Sequence, residues 1–331
     1  MKKSLQTLLH KIIDYAGLFP PASLSLDQAI HNYDRYRRGN DQWLLSRFII
    51  PATQLFELEN YQDELFQNAP PFDFSVTGSK GDTIVDFLNN IKSDLRGIQQ
   101  FHKEFPHQVT TQFYETKFPV EIIKAHDKQG VLDLLSEVMS LFEMYSPNMI
   151  SIFYESVFDD EYKLDNQIVL DALAEHRQKV ELMDGLNHYR FAGFKLRCGG
   201  VEAQMFPSPE QVVFALKHAV RHKLTMKATA GLHHPLRKFD KSVNTKMFGF
   251  LNVFISGILK WTMDLNDDQL KTIVEDENPE NFVFEEEYLR WKNLEISVEQ
   301  IEKARKEFLV SYGSCNFDEP REDLRHLGLM P

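Results

Sequence analysis

Short apolar runs alternate with longer, helix-like stretches along most of this chain, and that alternation restricts its fold more than any other feature. The runs lie at about 43–50, 72–77, 108–115, 148–155, 191–197, 223–229 and 247–253, with a last candidate, VSYGSCN, at 310–316. Helix starts between them are marked locally. Ser25 with Gln28, Ser208 with Gln211, and Ser297 with Gln300 have capping-box spacing, and Pro209 takes the first helical position after Ser208. From there Val212, Val213, Leu216, Ala219 and Val220 form one apolar helical face.

Strands separated by helices favour a parallel sheet with helical crossovers, and eight of them close a TIM-type (β/α)8 barrel. An open doubly wound sheet is the alternative, because 97–101 also reads as a strand and 310–316 also reads as a loop. With no internal repeat and no Gly/Ser-rich hinge, a single domain is expected. Its parts are an N-terminal helical section (1–41), a main β/α repeat (42–253), and a C-terminal excursion with a closing segment (254–331). The acidic stretch EDENPENFVFEEEYLRW in that excursion reads as a solvated face.

A net charge of −12 argues against a nucleic-acid partner, since phosphate binding needs a positive footprint. It leaves room for a local basic pocket that takes a small anion. Two cysteines, Cys198 and Cys315, make no disulfide framework and fit a reducing compartment. The N-terminal MKKSLQTLLHKIIDYAGLF is broken by His10, Lys11 and Asp14, so it reads as an amphipathic helix and not as a signal peptide. The longest apolar run, Phe248 to Leu259, is too short to span a bilayer. A cytoplasmic protein without a membrane partner is expected.

Two of the runs carry a lysine. In FKLRCGG (194–200), Phe194 and Leu196 face outward, which turns Lys195 and Arg197 inward; in MKATAGLHHP (226–235), Met226 and Ala228 face outward, which turns Lys227 and Thr229 inward. Two like charges on adjacent inward positions would lower one lysine's pKa and leave a usable amine. The alternative is that both pair with carboxylates such as Glu115 or Glu155 and fill the barrel. Arg197 suits a carboxylate or phosphate, and Gly199, Gly200 and Gly231 would let backbone N–H groups approach an anion.

In order and spacing, GFKLRCGG and MKATAGLHHP resemble deoxyribose-phosphate aldolase and other lysine-dependent barrel aldolases. The resemblance covers about 45 residues. It implies that Lys195 is the Schiff-base lysine and Lys227 its pKa-lowering neighbour. Leu196 and Arg197 depart from the small polar residues of that family, and AGLHH replaces its double glycine. Over the whole chain, DYAGLFPPA, GFKLRCGG, KATAGLHHPL, GFLNVF and GSCNFDEP resemble a family of uncharacterised bacterial proteins, which implies no activity.

Other residues offer alternatives. His233 follows the Lys227 strand and reads equally as a catalytic group or a loop contact, and Pro235 keeps its neighbour His234 extended. Asn252, polar within GFLNVF, would orient a substrate carbonyl or make a core hydrogen bond. Glu155, Cys198, His233 and Cys315 would supply a divalent metal site, and Glu115 with Glu155 would suit Mg²⁺. Asp14, beside the Phe-Pro-Pro turn, reads as structural or as reaching the site. The absence of G-x-G-x-x-G, Walker A and G-x-S-x-G sequences disfavours nucleotide-binding and α/β-hydrolase readings. The expected function is a lyase, aldolase or isomerase acting on a small anionic carbonyl metabolite without a cofactor. Lys195, Lys227, Glu155 and His233 would be catalytic, and Arg197, Thr229, Gly199, Gly200, Gly231 and Asn252 would bind substrate. A metal-dependent hydrolase or isomerase and a non-catalytic anion-binding protein are the alternatives.

Overall fold

The computed structural model describes residues 1–66, 70–183 and 185–331. Eight parallel strands make a closed barrel: β1 (Ile13–Tyr15), β2 (Leu45–Pro51), β3 (Phe72–Thr77), β4 (Val109–Lys117), β5 (Ile150–Glu155), β6 (Tyr189–Arg197), β7 (Met226–Thr229) and β8 (Leu309–Ser314). Their order is β1-β8-β7-β6-β5-β4-β3-β2, with helices between successive strands. The expected (β/α)8 class is therefore the observed one.

Two elements differ from the sequence reading. The run at 247–253 is not a strand: the chain enters a helix at Phe250–Thr262, in which every residue from Phe250 to Leu259 is buried. An unbroken apolar run has no period to separate a buried strand from a buried helix, and here its length should have decided for the helix. The strand that completes the barrel is instead β1, inside the section expected to be helical. Helices Lys3–Leu9 and Leu26–Arg37 flank it, and 97–101 lies within the helix Ile84–Glu104.

The chain divides into two compact units, one of residues 47–195 and one of residues 1–46 with 196–331. In the first, β3 to β6 pair in parallel, with Thr77 opposite Glu115, Glu115 opposite Phe153, and Glu155 opposite Lys195. All six residues of β5 are buried, because both faces of the strand are covered. On one face Tyr154 stacks on Phe118, with centroids 4.5 Å apart. On the other, Phe153 meets Phe113 at 4.8 Å and Phe191 at 5.9 Å. Outside the strands, helix Ile84–Glu104 buries Phe87, Ile91, Leu95, Ile98 and Phe101, one stripe at three- and four-residue spacing.

In the second unit, β1 pairs with β8 and β8 with β7, all parallel. The three expected capping boxes are present, and Asn266 with Gln269 forms a fourth. Three antiparallel strands, Phe282–Phe284, Tyr288–Trp291 and Leu294–Ser297, include much of the acidic stretch. Phe282, Phe284, Leu289 and Trp291 are buried there while Glu286 and Glu287 stay exposed. Among the described residues, no helix is long and apolar enough to cross a membrane.

Two histidines, His176 buried and His102 half-buried, give the 47–195 unit an acid sensitivity. His102 is 2.9 Å from the Thr111 hydroxyl and His176 is 2.9 Å from the Tyr189 hydroxyl. Burial pushes both imidazoles down to about 4. Since the unfolded value is about 6.5, the unfolded chain binds more protons between these pH values. Stability is full above about pH 6.5 and is lost as the pH falls towards 4, by on the order of 3 kcal/mol per histidine. Urea titrations across that range should show the loss, and His102→Gln with His176→Gln should flatten it. An acid limb of equal steepness in the double variant would contradict the assignment.

Candidate active site

Lysine is rarely buried without a partner, so the surroundings of the two strand lysines decide what they can do. Lys195 lies near the end of β6, and its side chain is 10% exposed. Its Nζ lies 3.1 Å from Oε2 of Glu115 on β4 and 3.3 Å from Oε2 of Glu155 on β5. Strand alternation puts all three on one face, and Glu155 is the direct register partner of Lys195. Glu115 is almost fully enclosed and its Oε1 accepts a hydrogen bond from the Ser75 hydroxyl at 2.5 Å. One ammonium thus faces two carboxylates. Such a cluster can hold the amine as a cation or exchange its proton, and the carboxylates are the acceptors.

In the other unit Lys227 is fully buried. Its Nζ donates to Oδ2 of Asp14 on β1 at 2.8 Å, and both side chains are 0% exposed. The same Oδ2 accepts a hydrogen bond from the Ser311 hydroxyl of β8 at 2.6 Å. Asp14 is aligned with Gly313, and Ser311 precedes it by two residues, on the same face of β8. A cation and a hydroxyl thus meet at one carboxylate oxygen. Asp14 therefore stands in β1 as the partner of a lysine, the role that its turn-like sequence context concealed.

The remaining expected residues scatter. Arg197 is exposed, with Nη1 3.4 Å from the Gly199 carbonyl. Thr229 is half-buried, and its carbonyl accepts the Cys198 N–H at 2.8 Å. Gly199 and Gly231 are needed for close approach: a Cβ on either would lie 2.8 Å from the other's Cα, and Gly231 has φ of +68°. A Cβ on Gly200 would run into the Met205 side chain. Close packing of the chain is thus one reason for glycine at these three positions.

His233 is 3.1 Å from Glu319, whose carboxyl it holds below the usual range. His234 is 2.6 Å from Asp323. Asn252 sits on the helix Phe250–Thr262 and not on a strand. Its amide oxygen accepts the Arg237 N–H at 2.8 Å, and its amide nitrogen donates to the carbonyls of Ile273 and Asp276 at 2.8 and 2.7 Å. Burial pushes the Cys198 thiol up to about 12 and raises that of Cys315, so neither is a ready nucleophile at neutral pH. Among the described residues, no three His, Cys, Asp or Glu side chains are arranged to hold a metal ion.

Ser75 and Ser311 were missed by sequence reasoning, although a signal existed. FDFSVT alternates aromatic or aliphatic residues with Asp73, Ser75 and Thr77, which marks one polar strand face.

No family model matches the chain, and no curated protein matches it. Among solved structures it is similar to a putative deoxyribose-phosphate aldolase from Toxoplasma gondii. The identity is 11% and the TM-score 0.37, over 66% of this chain and 85% of that one. A likeness at this level carries no statement about chemistry.

Replacing Lys227 by Met removes the ammonium 2.8 Å from the fully buried Asp14 carboxylate. The expected cost is about 3–5 kcal/mol in urea unfolding. Adding Asp14→Asn to that variant should recover part of it, because the orphaned charge is removed. A loss below about 1 kcal/mol for Lys227→Met would contradict a structural ion pair.

Proposed function

We propose that this barrel is an enzyme in which Lys195 forms an imine with a small carbonyl substrate, in lyase, aldolase-type or isomerase chemistry. One observation carries the reading: a strand lysine with a tenth of its side chain exposed, held 3.1 and 3.3 Å from two carboxylates. An amine attacks a carbonyl only when unprotonated, and here an acceptor for its proton is already in contact. The fully buried Lys227 is less suited, because its Nζ sits 2.8 Å from an equally buried Asp14.

The chemistry balances. A glutamate takes one proton from the ammonium, and the free amine adds to the carbonyl carbon. The same acid then returns its proton to the resulting hydroxyl, which leaves as water and gives an iminium. That cation draws electrons from a neighbouring C–C or C–H bond, which is the step shared by aldol cleavage and carbonyl isomerisation. Lys195 is also the residue placed in the Schiff-base position by the resemblance of GFKLRCGG to barrel aldolases. The expectation of an anionic metabolite rests on Arg197 and is kept as part of the proposal.

Borohydride reduces an iminium to a stable secondary amine and so records its position. Treating the protein with borohydride and a mixture of small aldehydes and ketones should place the adduct on Lys195. Lys195→Arg, which keeps the charge between the glutamates, should remove it while a cooperative thermal transition remains. No adduct at Lys195 with any member of the mixture would overturn the reading.

A further inference from the structure

The two glutamates at Lys195 are chemically unequal. Glu115 has a side chain 1% exposed, and its two oxygens are divided between the Ser75 hydroxyl at 2.5 Å and Lys195 Nζ at 3.1 Å. Ser75 is itself fully buried on β3. A hydroxyl that donates to a carboxylate and an ammonium beside it both work in favour of the ionised form, against the effect of burial. Glu155, by contrast, has a side chain 9% exposed and stands directly beside Lys195 in the strand register. It touches the same amine, at 3.3 Å, and keeps the greater access to solvent through which a proton is exchanged.

We propose that Glu155 is the residue that moves the proton to and from Lys195, while Glu115 stays ionised and orients the amine, with Ser75 as the positioning residue that holds Glu115 in that role. This rests on the reading of Lys195 as the imine-forming amine. In balance, the Glu155 carboxylate takes one ammonium proton, and the amine adds to the carbonyl. Protonated Glu155 then releases the hydroxyl as water, leaving the carboxylate and an iminium. Glu115 begins and ends ionised. Ser75 would then act on Lys195 through Glu115, so altering Ser75 changes the pH at which the site works more than its chemistry.

The test uses the full chain and pentane-2,4-dione, which condenses with a lysine amine to an enaminone absorbing in the near ultraviolet, with loss of one water. Wild type should form the enaminone at Lys195, and Lys195→Arg should not; failure of wild type to react sinks the reading of the site itself. Given that reaction, Glu155→Gln should slow it about 100-fold at neutral pH, with the adduct still forming in alkali, where hydroxide replaces the base. Ser75→Ala should keep the full extent of reaction but move the acid limb of the pH–rate profile upward by about one pH unit. The direction follows because the lost hydrogen bond had favoured the Glu115 anion. Ser75→Thr should restore the wild-type profile. Glu155→Gln reacting as fast as wild type would overturn the division of roles, and so would an unmoved profile in Ser75→Ala. Either result would leave the imine reading standing if wild type reacts.

Discussion

Everything unusual in this barrel follows from the cost of placing charge where water is excluded. Lys227 and Asp14 show the constraint in its plainest form, with neither side chain exposed and 2.8 Å between them. A buried ammonium is tolerated only if a carboxylate comes with it, and both must find hydrogen bonds for their remaining capacity. That requirement explains why a three-residue strand carries Asp14, and why a serine stands two positions before its register partner on β8. Sequence-distant elements, β1, β7 and β8, are coupled by one oxygen atom that accepts two hydrogen bonds.

Lys195 meets the same constraint with two carboxylates in contact with its Nζ, at 3.1 and 3.3 Å. Partial exposure accompanies Lys195 and Glu155, whose side chains are 10% and 9% exposed, and is missing from Lys227 and Asp14.

Much of the barrel was legible from the sequence because parallel strands covered on both faces are short, apolar and bounded. The runs around Ser151 and Lys195 show this, since each coincides with an observed strand. Alternation also put Lys195 and Lys227 on one kind of face, and both are buried beside carboxylates. It does not report depth: Arg197 has the parity of Lys195 yet is exposed, because it lies at the strand's end. The failures have equally local causes. Ile13–Tyr15 is too short for any period to be read, and Phe250–Leu259 is apolar on every side, so strand and helix look alike. Asn252 was misplaced for that reason alone. The pairing of Lys227 with Asp14 spans 213 positions, and no local pattern encodes a contact of that range.

The amide of Asn252 has a kinetic meaning as well as an energetic one. It joins the chain at Arg237, Ile273 and Asp276, segments that belong to different loops and helix ends. None of them can swing away alone without stranding a buried polar group on the helix that carries Asn252. The amide hydrogens around these three places should thus exchange with solvent in one shared opening event rather than three independent ones. A single side chain would set the clock for a stretch of some forty residues.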